Sequence, residues 1–230
     1  MSDPKVIVAL DYPTEALAFE LINQLDPQQC RLKVGKEMFT LLGPAFVEKI
    51  QAKDFDVFLD LKYHDIPNTV AKACEAAASL GVWMLNVHAS GGRKMMEAAA
   101  NSIINFQNKP HLIAVTVLTS MSQQDLTEIG INQSPQQQAV KLALLAQSSG
   151  IAGVVCSAQE APDMRDKLTE DFLLVSPGIR PKGSNADDQN RIMTPSAAIQ
   201  AGSNYLVIGR PITQSDTPLN VLRSINSDIS

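Results

Sequence analysis

Short runs of β-branched and aliphatic residues alternate with longer helical patterns from one end of this chain to the other, and this alternation restricts the fold more than any other feature. Candidate strands lie at 5–11, 31–35, 57–62, 83–88, 112–119, 153–157, 172–177 and 205–209. Most are short and almost wholly apolar, as strands covered on both faces should be. Helical patterns occupy 14–25, 37–50, 67–80, 91–106, 136–149, 159–168 and 195–201, with a terminal one at 217–228. Thr14 before Glu15-Ala16-Leu17, and Ser134-Pro135 before Gln136, have the chemistry of helix starts. Eight such repeats predict an α/β fold of the (β/α)8 TIM-barrel type rather than a doubly wound sheet. No Ser/Gly/Pro-rich linker divides the 230 residues, so a single barrel domain over 1–230 is expected. The longest irregular stretches, 120–134 and 179–194, both follow strands, where barrel loops usually build the site.

Composition excludes several classes of function. With 24 acidic against 19 basic side chains the formal charge is -5, and no stretch interleaves aromatic residues with Lys and Arg. A nucleic-acid surface is therefore not expected, although a local basic pocket is compatible with that balance. No apolar segment reaches membrane-spanning length, and Met1-Ser2-Asp3-Pro4 runs almost at once into a strand pattern, so cytoplasmic residence is the expectation. Cys30, Cys74 and Cys156 are odd in number and far apart, which suggests neither a disulfide framework nor a cysteine metal site.

Polar residues collect at one end of the strands. Asp60-Leu61-Lys62-Tyr63-His64-Asp65 closes the third; a period of two puts Asp60 and Lys62 on one face, with Leu59 and Leu61 on the other. Charged groups facing the middle of a fold are costly unless paired, and Asp-x-Lys supplies its own pair. Taken alone this could be a structural ion pair. Asp11, however, closes the first strand, Lys33 sits in the second, His88 closes the fourth, Thr119 the fifth and Gly209-Arg210 the eighth. In a barrel these ends meet at one mouth. Each has a plainer reading: Asp11 as a turn residue before Pro13, Lys33 as a snorkelling side chain, and His88 as a structural histidine. His64 and His111 are read as structural. Gly209-Arg210 after the eighth strand and Gly178-Ile179-Arg180 after the seventh suggest an anion site, with Gln189 able to hydrogen-bond to a terminal oxygen. The nucleotide-binding patterns Gly-x-x-x-x-Gly-Lys-Ser/Thr and Gly-x-Gly-x-x-Gly are absent.

In these segments the chain resembles the orotidine 5'-phosphate decarboxylase family, in its compact bacterial form. The resemblance spans nearly all of residues 4–223. It rests on Val8-Ala9-Leu10-Asp11, Leu32-Lys33-Val34-Gly35, Val117-Leu118-Thr119-Ser120-Met121 and, most specifically, the run from Phe58 through Asp60, Lys62 and Asp65 to Val70. It continues through Ser176–Pro181, Asp188-Gln189-Asn190-Arg191 and Val207–Thr213. Tyr63 stands where Phe is frequent. The resemblance implies a homodimeric lyase without metal or cofactor, converting orotidine 5'-phosphate to uridine 5'-phosphate and carbon dioxide in pyrimidine synthesis. It also implies a charged network of Lys33, Asp60 and Lys62 from one subunit and Asp65 from its partner. Asp11 and Lys33 would contact ribose and Thr119 would lie near the pyrimidine. Arg180, Gln189, Gly209 and Arg210 would hold phosphate, and Thr69 would reach the neighbouring subunit's nucleotide with Asp65.

The chemistry would run through Lys62. Loss of carbon dioxide from C6 leaves a carbanion that the ring cannot delocalise as an ordinary enolate. Asp60 would oppose the substrate carboxylate, whereas Lys62 would stabilise charge at C6 and then donate the proton. The Lys-Asp-Lys-Asp order favours a charged Lys62. Because an aspartate can escape repulsion by taking a proton, carbanion stabilisation carries more weight. Two competing readings are a metal-dependent sugar-phosphate epimerase or related decarboxylase, with Asp60, His64 and His88 as ligands, and a catalytically silent phosphate-binding barrel.

Overall fold

The computed structural model describes residues 3–181 and 192–230. Eight parallel strands close into a barrel in chain order: β1 (Val6–Leu10), β2 (Arg31–Gly35), β3 (Val57–Tyr63), β4 (Met84–His88), β5 (His111–Val115), β6 (Gly153–Val155), β7 (Leu173–Ser176) and β8 (Tyr205–Ile208). Closure is direct, since β1 pairs with β2 on one side and with β8 on the other, where Ile7 lies opposite Val207. The (β/α)8 architecture expected from the alternation is the one observed.

The helices that cover the barrel are α1 (Glu15–Ile22), α2 (Lys36–Gln51), α3 (Pro67–Ser79), α4 (Arg93–Ser102), α5 (Gln123–Glu128), α6 (Pro135–Gln147), α7 (Ala161–Arg165), α8 (Pro195–Gln200), α9 (Arg210–Thr213) and α10 (Pro218–Asp228). Their starts follow local chemistry. The Thr14 side chain accepts the Leu17 N–H at the head of α1, and Ser134 and Gln137 form a reciprocal capping box at α6.

Three expectations change. The helical stretch 37–50 is interrupted at Gly43 (φ 64°, ψ -161°), because Pro44 has no N–H to donate and restricts the residue before it. The stretch 120–134, expected to be irregular, contains α5, opened by a capping box between Ser122 and Asp125. The fifth strand begins at His111 and ends at Val115, so Thr119 does not close it but stands in a turn four residues further on.

Ile7, Phe58, Met84, Ile113, Val175 and Tyr205 fill the centre of the barrel, while a larger apolar cluster lies between strands and helices. At Gly153 a side chain would run into the Leu173 carbonyl, so the approach of β6 to β7 requires glycine. Arg31 closes the floor. Its guanidinium donates to Asp56 at 3.1 Å, to Asp3 at 2.9 Å and to the Pro4 carbonyl, and lies 4.0 Å from the centre of the Trp83 ring. Cys30, Cys74 and Cys156 are buried free thiols, and no helix among the described residues is long and apolar enough to cross a membrane.

Candidate active site

Strand β2 carries Lys33 two residues beyond Arg31, toward the opposite end of the barrel. The Lys33 ammonium lies 3.3 Å from Asp60 Oδ2 and 3.9 Å from Asp11 Oδ1. Gly35 makes room for it, since a Cβ there would stand 3.3 Å from Lys33 Nζ. On β3, Lys62 Nζ lies 2.6 Å from Asp60 Oδ1, so one carboxylate, only 8% exposed, bridges two ammonium groups. Burial pushes the Asp60 pKa up. The charges of Lys33 and Lys62, with hydrogen bonds from Lys62 and Asn86, outweigh burial and hold it below the usual carboxylate range.

The Asp60–Lys62 contact expected from strand alternation is present, but regular alternation does not produce it. Lys62 has φ 53°, in the left-handed region. The β3–β4 register slips at the same place: Leu59 faces Leu85 and Tyr63 faces Val87, so four steps along β3 match two along β4. Such a bulge re-aims a side chain at a barrel rim. Asn86, fully buried on β4, donates from Nδ2 to Asp60 Oδ1 at 2.7 Å and accepts the Lys62 backbone N–H at 2.7 Å. Asn86 is not among the residues expected from sequence, although a polar residue one period before His88 in Met84-Leu85-Asn86-Val87-His88 is a usable signal.

His88 ends β4, and its ring stacks on His64 with centroids 5.5 Å apart. Its imidazole accepts the Ser90 N–H at 3.4 Å. Burial, helped by His64, Lys36 and Lys62, lowers its pKa to about 4, so the ring is neutral near pH 7. His111 sits at the other end of the barrel against Trp83, in the structural position expected for it.

Two adjoining cavities open at the mouth, and Lys33, Pro177 and Val207 line both. The larger, about 440 Å³, is polar, with Asp11, Arg180, Gly209 and Arg210 in its wall. The smaller, about 190 Å³, sets Asp60, Lys62 and Thr119 against Phe58, Val115 and Val155. Gly209 caps the short helix α9, and Tyr12, a second residue not singled out from sequence, donates its hydroxyl to the Thr213 carbonyl at 3.1 Å. Arg180 is buried, with its backbone N–H donated to the Met193 carbonyl at 2.9 Å. Gln189 lies outside the described residues.

Asp65 and Thr69 stand apart from these groups within the chain. Both are exposed where α3 begins; Asp65 Oδ1 accepts the Ile66 N–H at 2.6 Å, and among the described residues Asp65 makes no ion pair. No group of three His, Cys, Asp or Glu side chains among the described residues is arranged to hold a metal ion, so the Asp60/His64/His88 set considered for a metal does not assemble.

A family model described as Orotidine 5'-phosphate decarboxylase / HUMPS family matches residues 4–225. The chain belongs to that family. A relative in Psychromonas ingrahamii named orotidine 5'-phosphate decarboxylase is 61% identical over 99% of this chain and 97% of its own length. Another of that name, in Pseudoalteromonas atlantica, is 58% identical with both chains covered in full. The crystal structure of orotidine 5'-phosphate decarboxylase from Lactobacillus acidophilus superposes with a TM-score of 0.88 at 36% identity, covering 99% of this chain and all of that one. Family membership thus joins the barrel and the lysine–aspartate network to a decarboxylase lineage.

Proposed function

We propose that this chain decarboxylates orotidine 5'-phosphate to uridine 5'-phosphate in pyrimidine biosynthesis, with Lys62 as the proton donor. The observation that carries the reading is the Lys33–Asp60–Lys62 chain where a polar cavity meets an apolar one. The polar cavity suits a phosphate, held by Arg180, Gly209, Arg210 and Gln189, and a ribose held by Asp11 and Lys33. The apolar cavity suits a pyrimidine beside Thr119.

In the reaction the bond from C6 to the carboxylate carbon breaks. Carbon dioxide leaves, the electron pair stays at C6, and Lys62 supplies the proton. A fixed ammonium acts selectively on the carbanion because charge develops there only as the bond breaks. Asp60, held ionised by its two lysines, opposes the substrate carboxylate and keeps Lys62 in place. Phosphate binding far from C6 orients the base before chemistry.

The working unit is a homodimer in the cytoplasm, requiring neither metal nor cofactor. The exposure of Asp65 and Thr69 beside the 66% exposed Ile66 at the start of α3 supports a reading in which both cross an isologous interface and Asp65 completes a Lys-Asp-Lys-Asp set in the partner's site. Exchanging subunits between inactive Lys62→Ala and Asp65→Ala homodimers tests this. Mixed dimers should recover activity approaching half the parental value, because both lesions fall in one site, and verified exchange without recovery would reject the arrangement.

The reaction is tested by incubating purified protein with orotidine 5'-phosphate in chelator and following uridine 5'-phosphate. Sustained turnover is expected. Activity that disappears in chelator and returns with a divalent metal would favour the metal-dependent reading, and binding without decarboxylation would favour the silent barrel.

A further inference from the structure

Lys62, the residue placed at the reacting carbon, has a backbone conformation that is unusual for a side chain with a Cβ (φ 53°), and it sits within the register slip between β3 and β4. Such a conformation persists only where its surroundings determine it. Asn86 is the side chain that does so. It is fully buried on the neighbouring strand, accepts the Lys62 N–H at 2.7 Å and donates to Asp60 Oδ1 at 2.7 Å. The amide can face only one way, because a carboxylate oxygen accepts and a backbone N–H donates. The same Asp60 oxygen receives the Lys62 ammonium at 2.6 Å. One amide therefore sets the backbone from which Lys62 projects and the carboxylate to which its ammonium is held.

We infer that Asn86 is a positioning residue for the decarboxylation, fixing Lys62 and Asp60 as a unit with its donor and its acceptor. This rests on the function proposed above. Asn86 lines neither cavity at the mouth, so its effect reaches substrate only through those two residues. A role of this kind acts on the transition state more than on ground-state binding, since the phosphate and ribose contacts lie elsewhere.

Asn86→Ala and Asn86→Asp test the role, with the parent assayed first on orotidine 5'-phosphate. In Asn86→Ala, kcat should fall by about 10²-fold, as expected when a site loses its alignment, with KM within a few-fold. Affinity for a uridine 5'-phosphate analogue bearing an anionic oxygen at C6 should fall in parallel, while affinity for uridine 5'-phosphate itself should hardly change. Asn86→Asp is nearly isosteric, which guards against a mere folding defect. Its introduced carboxyl, beside the Asp60 carboxylate, should hold a proton to unusually high pH. In that protonated form it can again donate to Asp60 and accept from Lys62. Its activity relative to the parent should therefore rise as pH falls.

Turnover within about threefold of the parent in both variants would overturn the role. So would a loss in Asn86→Ala shared equally by both ligands, together with an Asn86→Asp activity ratio that is flat with pH, since that pattern belongs to a structural residue. A parent without activity on orotidine 5'-phosphate would overturn the proposed function, and this role with it.

Discussion

Arg31 and Lys33 lie two residues apart on β2 and give the barrel two ends of opposite character. At the floor the Arg31 guanidinium is enclosed: two carboxylates and a carbonyl accept its protons, and Trp83 and Tyr205 cover its plane. At the mouth, Lys33 also lies near two carboxylates, but it lines both cavities and remains reachable by a ligand. A planar cation with five donors suits enclosure between aromatic rings, while a compact ammonium suits a cavity where charge changes during reaction. Two cations on one strand are thus enclosed at one end and open to a cavity at the other. The difference lies in what covers them, not in how deeply they sit.

The strongest way to break this contrast is at Lys62. Lys62→Ala should lower kcat by at least about 10³-fold, the range of a lost general acid, while thermal unfolding stays near that of the parent. Lys62→Arg should fail almost as badly, because the fork of a guanidinium cannot replace a compact donor. Near-parental turnover in either, in protein shown to be folded and free of contaminating enzyme, would remove Lys62 from the reaction.

Arg210→Ala comes next. Its kcat/KM on orotidine 5'-phosphate should drop by about 10–100-fold through loss of a charge-assisted hydrogen bond, with a much smaller loss on orotidine, which has no phosphate. Equal losses on the two substrates would point to damage of the site rather than a phosphate contact.

Arg31→Ala inverts the readout. Denaturant unfolding should show a loss of about 2 kcal/mol, from hydrogen bonds to charge and from the cation–aromatic contact, while kcat per folded molecule stays near parental. A large fall in kcat at unchanged stability would abolish the division between floor and mouth.

The smallest effect separates the two ends by pH. His88 is neutral in the folded barrel, with burial the main cause of a pKa lowered to about 4, so below about pH 6.5 the unfolded chain binds its proton first. Its effect on stability is absent above that pH and becomes a cost that grows as pH falls toward 4. Because the ring is partly exposed, this cost should be only about 1 kcal/mol after solvent screening. Stability curves for the parent and His88→Gln should converge near neutrality and separate in acid. Parallel curves would show that the ring titrates normally.

Most of the candidate site was legible from local patterns. Lys33 and Asp60 interrupt mostly aliphatic strands midway, Lys62 stands one residue before the end of β3, and Gly209-Arg210 follows the last strand, so the order of strands around the barrel brings them toward one mouth. Thr119 shows the limit. Val117 and Leu118 prolong the apolar pattern past Thr116, yet β5 ends at Val115 with one further backbone bond, from the Thr116 N–H to the Val155 carbonyl at 3.3 Å, and Thr119 reaches the smaller cavity from a turn. Hydrophobicity marks what is buried, whereas a strand ends where its neighbour stops offering partners.

By itself the sequence determined the eightfold alternation, the parallel buried strands and the end of the barrel where charge gathers, because these depend on periodicities of two to four residues and on the chirality of strand–helix–strand units. The tertiary structure decided the left-handed turn of Lys62, its clamp by Asn86 24 positions away, the meeting of the two cavities at Lys33 and the separation of Asp65 from the network of its own chain. These depend on register between strands distant in sequence. A slip such as the one between Leu59 and Tyr63 is set by the fit of neighbouring strands, which periodicity along one strand does not encode.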